Sequence, residues 1–225
     1  MRFVAILLLA AAPLFLKGQG KTYIGIVGGG HAASAFIEHT LYITGLQSRI
    51  ITQYHGGVML KHYNKYNPNF KLNTGIQTGL MFSRKGWKQD FILHPDLTTT
   101  LDYGVLPIDA IIYAGNEKRK VFALLGVFGE YLINSSTPEI TDPDLVLIGE
   151  DFFTYSPSRD PSFGYGFNGG LGLQWDIGIG AIHLNGFFNY SLSNFLLNER
   201  PADQIPDVSN LWNVGGSIGY FLRLN

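Results

Sequence analysis

Residues Phe163 to Leu192, FGYGFNGGLGLQWDIGIGAIHLNGFFNYSL, carry the reading that decides the fold. In the first arm Phe163, Tyr165, Phe167, Leu171, Leu173 and Trp175 fall on one side, with Gly164, Gly166, Asn168, Gly170, Gly172, Gln174 and Asp176 on the other. Strict period-two alternation of this kind marks a strand whose two faces meet different surroundings. The second arm repeats it, setting Ile182, Leu184, Phe188, Tyr190 and Leu192 against His183, Asn185, Asn189 and Ser191. Asp176 to Gly180 (DIGIG) joins the arms as a short hairpin connection. Each arm runs to roughly a dozen residues, against about 5–6 in a soluble strand, and a tilted bilayer crossing needs about 9–11.

The composition agrees with a chain that has little water-facing surface to cover. Charged residues are 15% of the 225, and 28 are glycine, where an average soluble protein carries about 25% charge and about 7% glycine. The formal net charge is −1 and neither sign forms a block, so the sequence shows no nucleic-acid footprint. Cysteine is absent, which removes disulfides, thiolate metal sites and thiol nucleophiles together. Arg2 followed by the apolar run Val4 to Leu16 reads as a signal peptide over residues 1–20, leaving 21–225 as one barrel domain. No later run is apolar for long enough to be a membrane helix, so a spanning chain would have to close its strands into a barrel.

Taken in order, the sequence predicts eight strands. Thr22 to His31, Gly56 to Tyr66, Phe70 to Ser83, Thr98 to Tyr113 and Lys120 to Asn134 precede the two arms, and Leu211 to Asn225 closes the chain. Long connections follow the odd strands: Ala32 to His55, with a short helical turn over Ala32 to His39, then Arg84 to Leu97, Ser135 to Ser162 and Ser193 to Asn210. Tight turns follow the even ones, at Asn67 to Asn69, Ala114 to Arg119 and Ile177 to Ile179. Pro107 is expected at a bulge or edge, since proline cannot donate to a sheet ladder. Even strand number, short turns at one end and long loops at the other describe an outer-membrane barrel with its turns on the periplasmic side. The fold expected is therefore all-β, an eight-stranded antiparallel up-and-down transmembrane β-barrel. An eight-stranded interior has room only for filling side chains or one small ligand; the large rings of strands three, six, seven and eight would crowd it and are assigned to lipid, and the Gly, Asn, Ser and Gln face to the lumen.

Several stretches resemble a known family. Asn73 to Asp90 (NTGIQTGLMFSRKGWKQD), Leu101 to Tyr113 (LDYGVLPIDAIIY) and Lys120 to Leu132 (KVFALLGVFGEYL) are similar to the PorT-like outer-membrane β-barrel family of Gram-negative bacteria, as are the glycine-rich strand before Ser34 and the closing GGSIGYFLRLN. The resemblance implies an eight-stranded outer-membrane barrel without known catalysis, some relatives of which serve protein secretion and gliding. The chain departs from many outer-membrane barrels by ending on Asn225 instead of an aromatic residue, though Tyr220 and Phe221 lie close by.

Enzymatic motifs fail on context. Gly28, Gly30 and Ala33 fit G-x-G-x-x-A after an apolar strand, yet no acidic residue lies about 20 positions on and no strand-helix repeat follows. His31 with Ser34, or His39, could place a base near a nucleophile at the outer rim, as a lipid hydrolase would need, but there is no G-x-S-x-G elbow. No catalytic residue, metal ligand or cofactor site is assigned. Lys61, Lys71, Asp102, Glu130, Asp176, His183 and Arg223 fall on polar faces and are expected to plug the lumen by pairing; a narrow solute pore is the alternative. The function expected is a structural, docking or secretion-associated one. It would be exercised by a monomer in outer-membrane lipid, meeting envelope or secretion proteins through loops 32–55 and 135–162.

Overall fold

The computed structural model describes residues 20–38, 48–89, 96–137, 155–196 and 208–224. But for Gly20, the expected signal peptide lies outside these residues. Eight long strands form: β1 (Lys21–Glu38), β2 (Ile51–Tyr63), β3 (Asn73–Gln89), β4 (Leu97–Gly115), β5 (Arg119–Ser136), β6 (Phe163–Ile177), β7 (Gly180–Ser191) and β8 (Val208–Arg223). A two-residue strand, Ser48–Arg49, prolongs β2 past Ile50 and pairs with Gln89 and Lys88 of β3. Each strand is antiparallel to its sequence neighbours, and β8 pairs with β1 from Tyr23↔Arg223 to Glu38↔Val208, closing the barrel.

The registers fix the shape. One row of paired residues runs Lys61, Gln77, Asp109, Gly126, Asn168, Asn189, Asn213 and Ala33, then returns to β2 at Ile51. A full circuit therefore slips ten residues along β2, from 61 to 51. Ten residues at about 3.3 Å against eight strands at about 4.8 Å gives a strand tilt of about 41°. The row climbs about 3 Å at each strand, and an apolar band of ~25 Å occupies about 10 residues of each strand.

The hydrophobic face points outward. Ile26, Val58, Leu80, Leu125, Val127, Leu171, Phe188 and Ile218 are all exposed, an arrangement that water would penalise and lipid rewards. Tyr54, Tyr131, Phe163 and Tyr165 mark the outer surface toward the long connections, and Tyr220 toward the short ones, as the aromatic girdles of a membrane barrel do. The hairpin Phe163 to Leu192 has Gln174, His183 and Ser191 buried within and its rings outside, except Phe187, which turns into the lumen.

Strand length departs from expectation at one end. β1 continues as strand to Glu38, so the short helical turn over 32–39 does not form in its described part. β3 continues to Gln89, and β4 begins at Leu97. The connections shrink to 39–47, 90–96, 137–162 and 192–207, while 64–72, 116–118 and 178–179 join the strands at the other end. Connection 64–72 is thus longer than 90–96, and the strict alternation of tight and long breaks there, because β3 and β4 run on beyond the band and consume the residues that a loop would have used. Pro107 sits at neither an edge nor a bulge: pairs 79↔107 and 80↔106 drop out of the β3–β4 ladder without a change of register, and Thr78 donates its hydroxyl to the Pro107 carbonyl at 2.8 Å. The bulge lies between Asp102 and Tyr103, where Ile133 of β5 is the extra residue.

Candidate functional site

The lumen is the most densely organised part of the molecule, and it is filled at three levels. At the short-turn end Tyr23, Tyr63 and Tyr113 meet edge-on, with ring centroids 5.8 and 5.1 Å apart, beneath Phe122 and Phe221. Two of the three hydroxyls find partners within the lumen. Tyr23 donates to Asp176 at 2.6 Å and Tyr63 donates to Gln174 at 2.7 Å; Gln174 and Lys120 both reach the second Asp176 oxygen, at 3.0 and 3.3 Å. Small residues on one strand seat rings from the next. A Cβ at Gly172 would stand 2.3 Å from the Phe122 ring, and one at Gly166 2.7 Å from that of Phe128. The glycine face of β6 is therefore the mould for aromatic side chains of β5, and the lumen holds more rings than the small polar face of the hairpin implied.

At the opposite end a second apolar cluster closes the barrel. Trp87, Leu101, Tyr103, Leu132 and Leu211 come from the strands, whereas Tyr155, Phe195 and Leu196 come from the connections. Trp87 and Phe195 lie 4.8 Å apart. Just beneath, Lys85 donates to Glu130 at 2.6 Å, both side chains being 2% exposed, and Ser191 donates to the other Glu130 oxygen at 2.9 Å. A pair this deep holds only because its geometry and added hydrogen bonds offset the loss of water.

Between the two clusters lies a cavity of about 90 Å³. Lys61 meets His183, its ammonium 4.1 Å from the centre of the Phe221 ring. Asp109 accepts from Gln77 at 2.6 Å and from Asn168 at 2.5 Å. Higher up, a relay of side chains runs along the inner wall. The Arg84 carbonyl can only accept, so His31 donates to it from Nε2 (2.8 Å) and accepts at Nδ1 from His55 Nδ1 (3.2 Å). His55 Nε2 is then the acceptor for the Ser217 hydroxyl at 2.7 Å. A hydroxyl facing a neutral imidazole is the first contact of a nucleophilic site. Here the third member is another imidazole spent on a backbone carbonyl, with Phe187 packed on both rings, and the relay serves to tie β1, β2, β3 and β8 together.

These positions correct the sequence reading in detail. Lys61, Glu130, Asp176 and His183 do lie in the lumen. Asp102 does not: it is on the outer face beside the bulge, in a two-bonded contact with Arg84 at 2.6 and 2.8 Å. Lys71 is exposed in connection 64–72, and Arg223 is exposed at the rim. Lys85, Asp109 and Lys120 are lumen charges that the sequence reading missed; with Lys61, Glu130 and Asp176 they make three cations and three carboxylates among the described residues. The register row is the signal that would have found Asp109, which pairs with Gln77 on one side and faces Gly126 on the other. His31 and Ser34 are not brought together, standing three residues apart on opposite faces of β1; Ser34 instead reaches Ser48 and the Arg49 carbonyl, each at 3.4 Å. His39 and His94 lie outside the described residues. Gly28, Gly30 and Ala33 are mid-strand, and the strand runs on to Glu38 where a phosphate loop would open a helix, which ends the nucleotide reading. Among the described residues no group of three or more His, Asp or Glu could hold a metal.

A model of the outer membrane protein beta-barrel domain family matches residues 23–197. No curated protein matches the sequence. Among solved structures, the chain is similar to the attachment invasion locus protein Ail of Yersinia pestis, determined with the heparin analogue sucrose octasulfate: 12% identity, TM-score 0.38, covering 89% of this chain and 99% of that one. It is similar to Neisserial surface protein A at 10% identity and TM-score 0.38, over 88% and 95%. The outer membrane protease OmpT of Escherichia coli gives 8% identity and TM-score 0.41, over 92% and 97%.

Proposed function

Because this chain belongs to the outer membrane protein beta-barrel domain family, we propose that it works in that membrane as a plugged scaffold whose activity resides at its long-connection end, where it docks envelope or secretion proteins. The observation that supports this reading is the filled lumen: an aromatic cluster of buried side chains packs one end and an apolar cluster the other. What remains to act is the rim. Strands β1, β3, β4 and β5 continue past the apolar band, and Tyr155, Phe195 and Leu196 anchor the connections onto their inner face. A rigid scaffold presenting loops is the usual arrangement for recognition by a barrel.

On this reading the short turns 116–118 and 178–179 face the periplasm, residues 1–20 are a signal removed on export, and the chain acts as a monomer without catalysis. The segments Asn73–Asp90 and Lys120–Leu132 favour a PorT-like branch of the family. A solute pore is disfavoured by the two clusters, and a lipid hydrolase by the fate of His31 and Ser34. Exchanging residues 138–154 for an unrelated linker of equal length leaves Tyr155 in place and the barrel folded. In-cell crosslinking from the rim is then expected to lose its protein partners, and an unchanged partner set would overturn the proposal.

A further inference from the structure

The polar groups of the cavity between the clusters do not satisfy one another. Gln77 and Asn168 each spend an amide N–H on Asp109, which turns their carbonyl oxygens away from it, and neither oxygen has a hydrogen-bond partner. Asn213, 1% exposed, has both its amide nitrogen and its oxygen unpartnered. Lys61, equally buried, hydrogen-bonds only His183 among the described residues and has no carboxylate in direct contact. All four side chains line the same cavity, together with Asp109, and all belong to one register row. That row climbs about 3 Å per strand, so the unspent atoms ascend the lumen as a spiral from Lys61 to Asn213.

What would satisfy them is defined by sign. An anion suits Lys61 but meets the carbonyl oxygens of Gln77 and Asn168; a cation suits those oxygens but meets Lys61. The occupant must both donate and accept and must be small. Water fits on both counts, since a cavity needs only about 10–15 Å³ of this measure per molecule and each molecule needs 2–4 polar partners. We propose that a resident column of several waters follows the spiral from Lys61 to Asn213 and carries the ion pairing of Lys61 with Asp109, which no direct contact provides. The lumen is then a hydrated column held between two dry clusters, and its charge balance depends on solvent as much as on side chains. This inference concerns the barrel interior and stands whether or not the rim docks a protein.

Water-edited solid-state NMR of the intact barrel in lipid bilayers tests it without a variant. Transfer from water to the side-chain amides of Gln77, Asn168 and Asn213 is expected within milliseconds, while the Tyr63 and Trp87 rings receive none on that scale; amides that stay dark overturn the column. The ion pairing is read from a cycle of Lys61→Met and Asp109→Asn in urea unfolding from vesicles. The double variant is expected to lower the midpoint by less than the sum of the two single shifts. Additive shifts would overturn the water-carried pairing. Asn213→Leu adds a sign test: it lowers the midpoint if it strips water of its anchor, and a raised midpoint, as from removing unpaired atoms in a dry site, counts against the proposal.

Discussion

The two ends of the lumen are closed by different means. The floor, at the short-turn end, takes all its buried side chains from strands, among them Tyr23, Tyr63, Tyr113, Phe122 and Phe221, with Tyr66 of connection 64–72 only partly buried against them, and the Tyr23 and Tyr63 hydroxyls are led to Asp176 and Gln174. The roof draws Trp87, Leu101 and Leu211 from the strands but completes itself with Tyr155, Phe195 and Leu196 from the connections. A barrel can thus close one end by its own pleat and make the other conditional on how its loops are seated. The difference teaches that the floor is a property of the barrel, whereas the roof couples barrel stability to whatever engages the rim.

The coupling is tested most strongly by Phe195→Ala with Leu196→Ala. Truncating buried side chains of these kinds costs about 2–5 kcal/mol each, less than additively for neighbours, so the pair is expected to cost about 3–5 kcal/mol in urea unfolding. Amide exchange should quicken across 84–89 and 97–103 and stay unchanged across 21–27 and 219–223; equal acceleration at both ends would dissolve the contrast. A smaller effect is expected from Tyr23→Phe, which removes a hydroxyl donated to a carboxylate and should cost about 1.5–3 kcal/mol. Its exchange signature should be the mirror image, confined to the floor. The smallest comes from Glu117→Gln outside the floor, where Lys21 bridges to the β4–β5 turn at 2.8 Å. That hydrogen bond, and then the Lys21 charge, hold the Glu117 carboxyl below its usual value. Its contribution is therefore present above the ordinary carboxylate pKa of about 4.3 and lost as the pH falls through the folded value. For so exposed a pair it is below about 1 kcal/mol, and the variant should flatten the acid limb of a stability–pH curve without moving the neutral value by more than that.

How much of this was legible in the sequence follows from the same contrast. Within the apolar band the two faces of each strand meet lipid and lumen, and Phe163 to Leu192 declared both. Above the band the chemistry of the faces exchanges: Lys88 and Thr98 point outward to water, while Trp87, Thr99 and Leu101 turn inward to the roof. Arg84 to Gln89 lost its contrast for that reason and read as a loop. Asp102 read as a lumen charge because its neighbours suggested a polar face, and only the bulge at Asp102/Tyr103 with its Arg84 partner shows that it lies outside. Lys85 was hidden inside the same misread segment. Asp109 needed register, which no single strand contains. The relay of His31, His55 and Ser217 joins residues 24 and 162 positions apart, and nothing in their local spacing announces it.

The ten-residue slip of the barrel has a consequence for what its interior can be made to do. A channel selects ions with rings of like side chains set at one height. In this barrel residues at one height belong to different register rows, while residues of one row are strung along the axis. Lys61, His183, Phe122 and Phe221 share a level yet come from four rows. Any repeated substitution along a row would change the lining from bottom to top, and a ring would have to be assembled from positions that the sheet itself does not pair.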